Sequence, residues 1–169
     1  MRAALLLTLL AACAPAPEAP PPPAPILSTM ASKADFDLVR FAGRWEEAAR
    51  LPDPLFDGCD RSRWTVGRPA RGLATVRLDC LRDGAVRWRR DGLLRVAGPG
   101  RLALSLDGAD APRRLWALWA DGGWRSAVLA VPDGRAAWIL DRSAAMPTDR
   151  ARAAREVLDF NGVDVTRLF

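Results

Sequence analysis

Residues 36–52 read Phe-Asp-Leu-Val-Arg-Phe-Ala-Gly-Arg-Trp-Glu-Glu-Ala-Ala-Arg-Leu-Pro. The stretch predicts a short helical turn running into Gly43, then Arg44 and Trp45, then a strand. A Gly-x-Trp triplet alone occurs by chance in many chains. This one stands at the head of the patterned part of the sequence. A second segment, Trp138-Ile-Leu-Asp-Arg142, stands near its end. What lies between the two decides the fold.

Between them the chain alternates short β-type runs with Gly, Pro or Asp turns. Candidate strands cover residues 44–51, 61–66, 73–80, 85–90, 93–96, 101–106, 115–120, 125–131 and 136–140. The pieces flanking Arg90-Asp91-Gly92 read as one bent strand, because a glycine inside a strand often marks a bulge. Eight strands then remain. Asp83-Gly84, Gly98-Pro99-Gly100, Asp107-Gly108, Asp121-Gly122-Gly123 and Asp133-Gly134 supply the turns. Asp-Gly between apolar runs is a strong hairpin signal, and strands at this spacing predict an antiparallel meander. After the last strand, Pro147 to Gly162 reads as a helix. Thr148 is the expected N-cap, and Asn161-Gly162 the stop. Ala151, Ala154, Val157 and Leu158 share an apolar face. Residues 163–169 read as a last short strand or extended tail.

Eight antiparallel strands, a helix and a short final strand, with Gly43-Arg44-Trp45 at the start and Arg142 at the end, resemble the lipocalins of the bacterial outer-membrane lipoprotein type. The resemblance spans residues 36 to 168. It implies an all-β, eight-stranded up-and-down barrel with one C-terminal α-helix packed outside, wide enough inside for one small ligand. It also implies that Trp45 plugs the closed end and that Arg142 packs across it, a cation–π pair with Gly43 beside it. Glu47 matches an acidic position common in the family. The family's Thr-Asp-Tyr type turn is replaced here by Ala120-Asp121-Gly-Gly-Trp124.

The first residues read as a targeting segment, separate from the fold. Arg2 precedes an apolar run too short to span a bilayer. Leu10-Ala11-Ala12-Cys13 looks like a lipobox, which would make residues 1–12 a signal peptide and Cys13 the acylated residue. Two or three acyl chains would anchor the protein firmly. Ala14 stands where an Asp would suggest inner-membrane retention, so the expected address is the outer membrane, with the domain facing the periplasm. Residues 14–25 carry seven prolines. They predict a polyproline-II tether reaching on the order of 35–40 Å. The tether segment is taken as 13–34 and the barrel domain as 35–169.

With Cys13 acylated, Cys59 and Cys80 remain, and an exported pair reads as a disulfide. A hairpin centred near Pro69 and Ala70 would set the two opposite each other. Of the 25 basic residues only Lys33 is lysine, and the arginines are scattered, unlike the one-sided patch of a nucleic-acid binder. The chain has no histidine and no tyrosine. No thiol is expected to be free, and Glu46 and Glu47 should face opposite sides of a strand. An enzyme, a metal site and a cofactor are therefore not expected.

The pocket wall is sought among Trp64, Val76, Trp88, Leu104, Leu118 and Trp138. Strand parity sends Trp116 and Trp119 to opposite faces. Arg77 or Arg90 could cap a headgroup at the mouth. The family resemblance implies a fatty acid or lysophospholipid as partner. The alternative is a periplasmic interaction or inhibitor module on a small disulfide-bonded barrel. Whether the barrel forms a homodimer stays open.

Overall fold

The computed structural model describes residues 30–169. The segment read above as a signal peptide, Cys13 and most of the stretch read as a tether lie outside the described residues. A single helical turn, α1 (Leu38–Phe41), is capped by Asp37, whose side chain accepts from the amides of Val39 and Arg40. Eight strands follow: β1 (Gly43–Arg50), β2 (Arg61–Val66), β3 (Leu73–Arg82), β4 (Ala85–Gly98), β5 (Arg101–Leu106), β6 (Arg113–Ala120), β7 (Ser126–Ala130) and β8 (Ala137–Asp141). Each pairs antiparallel with the next, and β8 returns to β1 to close the barrel. Closure leaves no unpaired sheet edge. The expected all-β barrel with one outer helix is the fold observed.

Alternation along the strands sorts the apolar side chains into two buried clusters. The inner one contains Trp45, Trp64, Val76, Leu78, Leu94, Leu102, Leu104, Leu115, Leu129 and Trp138. The outer one lies under α2 (Thr148–Phe160), where Ala154 and Leu158 meet Ala49, Leu118, Val128, Ala130 and Ile139. Asp141 also pins this helix. Its wholly buried carboxylate accepts from Ser126 Oγ and from Arg150 of α2.

Several local expectations change. Thr148 is not the cap of α2: Pro147 holds that position and no side chain caps the helix. The final strand is absent. A 3-10 turn (Val165–Arg167) takes its place, and the backbone of Phe169 then exchanges two hydrogen bonds with that of Arg50. Gly92 makes no bulge, since it pairs in register with both Val76 and Leu106. Its reason is close approach, because a Cβ there would lie 2.1 Å from Ser105 O. Register also sets Ser62, rather than Cys59, opposite Cys80. The Cys59–Cys80 disulfide forms all the same, with Cα atoms 5.4 Å apart, because Cys59 belongs to a loop that folds back over the mouth.

Candidate functional site

The two ends of the barrel are built differently. At the closed end, Trp45 is fully buried and its ring stacks on Phe41 at 4.9 Å. Its indole N–H donates to Phe41 O at 2.8 Å. The guanidinium of Arg142 lies 3.6 Å from the centre of the Trp45 ring. The same guanidinium donates to the carbonyls of Arg40, Ala42 and Arg44, at 3.0, 2.9 and 2.9 Å. It therefore sews α1 and the start of β1 to the end of β8. Gly43 sits at φ +109°, and a Cβ there would lie 2.8 Å from Arg142 Nη1. A side chain at 43 would be strained and would push the arginine off the ring. Trp124 closes the same end against Phe36, their ring centres 5.5 Å apart.

The open end is covered by the loop between β1 and β2. A 3-10 turn (Pro54–Phe56), capped by Asp53, drives Phe56 into the barrel. The Phe56 ring lies 5.8 Å from Trp88, 6.1 Å from Trp138 and 6.5 Å from Trp64. Trp64 and Trp138 meet edge to face at 5.7 Å. With the plug in place the interior is packed. Trp45, Trp64, Leu78, Leu94, Leu115 and Leu129 have no surface that water can reach, so no water-sized void lies against them.

Several side-chain links hold this lid, Arg87 Nη1 to Gly58 O at 3.2 Å among them. Asp53, 4 % exposed, pairs with Arg113 of β6 at 2.7 Å. Arg50 donates to Cys59 O at 2.7 Å and pairs with Glu47, which also accepts from Ser62 Oγ. The disulfide fixes Cys59 to β3. Beside Arg113 the mouth opens into a depression of about 500 Å³ between the lid and the β7–β8 turn.

Of the wall residues sought in the sequence, Trp64, Val76, Leu104 and Trp138 lie in the inner cluster, and Trp88 packs against it. Leu118 does not. It faces outward beneath α2, together with Trp116 and Trp119. Leu118 is outward by plain alternation with Leu115 and Ala117 of the inner cluster, and a register slip between Ala117 and Trp119 turns Trp119 to the same outer side. Arg77 also faces outward, bonded to Asp91 at 2.7 Å. Arg90 pairs with Leu78 and so shares the lumenal face, its guanidinium 5.4 Å from the Trp88 ring centre. Phe56, Asp53 and Arg113 were not anticipated. The available signal was Pro54-Leu-Phe56 lodged in a loop three residues before a disulfide cysteine: apolar loop residues tied to a barrel need somewhere to bury.

A closed eight-stranded barrel, plugged at one end by a tryptophan under an arginine, lidded at the other and flanked by a C-terminal helix, is the lipocalin calyx. Residues 36–169 match the lipocalin-like domain family, and the chain belongs to that family. Its fold is similar to insecticyanin from the tobacco hornworm Manduca sexta, with a TM-score of 0.67, 22% identity, and coverage of 82% of this chain and 81% of that one. It is similar to lobster apocrustacyanin A1 (TM-score 0.62, 18% identity, 77% and 76% covered). It is also similar to the amine binding protein of Rhodnius prolixus, solved as a tryptamine complex (TM-score 0.60, 16% identity, 84% of each chain covered). No curated protein matches the sequence. Lipocalins are generally non-enzymatic proteins that bind small hydrophobic molecules, so the fold suggests hydrophobic ligand binding or transport for this chain.

Proposed function

We propose that this protein is a lipid-binding lipoprotein of the bacterial outer membrane, held by an acylated Cys13 and facing the periplasm. It stores or carries fatty acids or lysophospholipids for envelope maintenance. The observation that carries the reading is the entrance: an apolar, tryptophan-walled interior closed at the mouth by the side chains of one loop, Phe56 foremost, rather than by the strands. Each methylene of a chain entering such an interior contributes about 0.8 kcal/mol. A long acyl chain can therefore displace the plug and still bind at micromolar strength. The lumenal Arg90 at the rim suits an anionic headgroup. Lipid extraction and mass spectrometry of the purified domain, with displacement of a fluorescent fatty acid, test the reading. Recovery of no acyl ligand together with no displacement would end it. Palmitate labelling that persists after Cys13→Ser would end the anchor.

A second reading draws on the packing itself. A barrel interior with no water-accessible surface on its central side chains is what an interaction or inhibitor module needs, since its work lies outside. That reading predicts an enzyme partner in the periplasm and no acyl ligand in the extract.

A further inference from the structure

We infer that the segment Asp53 to Phe56 is an internal stand-in for the ligand, and that the ligand is an amphiphilic carboxylic acid. Its carboxylate takes the place of the Asp53 carboxylate on Arg113, and its apolar body takes the place of the Phe56 ring. The inference rests on the hydrophobic-ligand reading and narrows it.

The lid engages the barrel at two adjoining points, and both belong to one short segment. The Asp53 carboxylate meets Arg113 at 2.7 Å, and the Phe56 ring meets three tryptophans. On the barrel side the two receptors are continuous. The Arg113 guanidinium lies 5.0 Å from the centre of the Trp138 ring, the ring that Phe56 also touches. A lifted lid would leave a cation and an aromatic wall side by side, both recently desolvated. A half-buried guanidinium beside an apolar wall needs an anion. The vacated space therefore selects a molecule with a single negative head and an apolar body. An amine would face Arg113 with like charge, and an uncharged ester would leave it unpaired. Trp138 supplies a second mark of an absent acceptor. Its indole N–H is buried and has no hydrogen-bond partner in the closed state. Buried indole N–H groups usually find one, and a ligand oxygen reaching deeper than the Asp53 carboxylate would supply it.

The segment is built to leave. Leu51 N donates to Ala137 O and Asp60 N donates to Leu81 O. Between those anchors the backbone-to-backbone hydrogen bonds are internal to the loop. Pro52 and Pro54 have no N–H to lose. Arg50 and the disulfide hold Cys59, so the loop would swing about fixed ends. The depression beside Arg113 gives the head of an arriving ligand access to the cation before the plug is displaced.

The test uses dansyl-undecanoic acid and its methyl ester as matched fluorescent probes on the whole domain. Wild type should bind the acid about tenfold more tightly than the ester. Asp53→Asn keeps the oxygen that caps the Leu55 amide but removes the competing anion, and should tighten the acid by about a further tenfold. Phe56→Leu should tighten both probes and leave their ratio unchanged. Arg113→Gln should bring the ratio near one, and Arg113→Lys should restore a preference for the acid. Near-ultraviolet circular dichroism of the tryptophans reports that each variant is folded. Equal binding of acid and ester by wild type, or a ratio untouched by Arg113→Gln, overturns this inference and leaves hydrophobic binding standing. Failure of every variant to bind either probe overturns both.

Discussion

Replacing Trp45 with alanine is the sharpest test of how the closed end is built. The indole is wholly buried, stacks on Phe41 at 4.9 Å, donates to Phe41 O at 2.8 Å and lies 3.6 Å below the Arg142 guanidinium. Emptying a buried tryptophan site costs about 3–5 kcal/mol. The hydrogen bond contributes about 1 kcal/mol and the cation–π contact about 1–2 kcal/mol, partly inside the same cavity cost. A loss of about 5 kcal/mol follows, a large share of the total stability of such a domain. With a urea slope of about 2 kcal/mol/M, the unfolding midpoint should fall by about 2.5 M. Probe affinity of the folded fraction should stay within about twofold, since the lid and Arg113 sit at the other end. A variant that keeps its midpoint but loses binding would show that Trp45 belongs to the ligand site, and the assignment of the two ends would be wrong.

Other outcomes follow from single features. Reducing the Cys59–Cys80 bridge opens a 21-residue separation and should cost about 3 kcal/mol, read as a urea midpoint with and without reductant. It should also raise the association rate of either probe, because the lid loses one anchor. Burial alone would raise the Asp141 carboxyl, but Ser126, the Ser143 amide and Arg150 outweigh it and hold the pKa below its ordinary 3.8. The group's contribution to stability is therefore complete above about 3.8 and is lost as pH falls through the lower folded value. Asp141→Asn should flatten the acid limb of the stability profile and cost roughly 3 kcal/mol near neutral pH. Leu118→Ala should cost about 3 kcal/mol by loosening α2 and leave probe affinity unchanged, whereas Leu104→Ala should change both.

The parts of this fold that could be read from residues alone are those set by local rules. Asp-Gly turns and period-two runs locate eight strands to within a residue or two. The pairing of Gly43-Arg44-Trp45 with Arg142 could be read from the family pattern because one guanidinium does three jobs there: it covers the ring, ties several backbone carbonyls and excludes a side chain at 43. What escaped reading depends on where the alternation breaks or the chain crosses itself. A one-residue slip in β6 after Ala117 turns Trp119 outward beside Trp116 and Leu118 and brings Ala120 into the inner cluster. No residue in Leu115-Trp-Ala-Leu-Trp-Ala120 announces that slip, since every member is apolar and either face would accept it. The Asp53–Arg113 pair joins a loop to a strand 60 positions away, and scattered arginines give no hint of which one a buried aspartate will choose.

The contrast between the ends bears on function. At the closed end the arginine bonds to backbone carbonyls and covers a ring that cannot leave without opening the core. Those contacts are compatible with one arrangement. At the open end the arginine meets a side-chain carboxylate on a loop, and the ring beside it is carried by the same loop. Both contacts can be exchanged for equivalent ones from another molecule at little net cost, because carboxylate replaces carboxylate and apolar surface replaces apolar surface. A packed interior therefore does not by itself oppose a carrier. It means that the protein keeps its site dry by filling it, and that affinity is the difference between two occupants of similar chemistry. Weak binding by wild type combined with strong binding by Asp53→Asn is the signature of that arrangement, and a purely structural loop would not produce it.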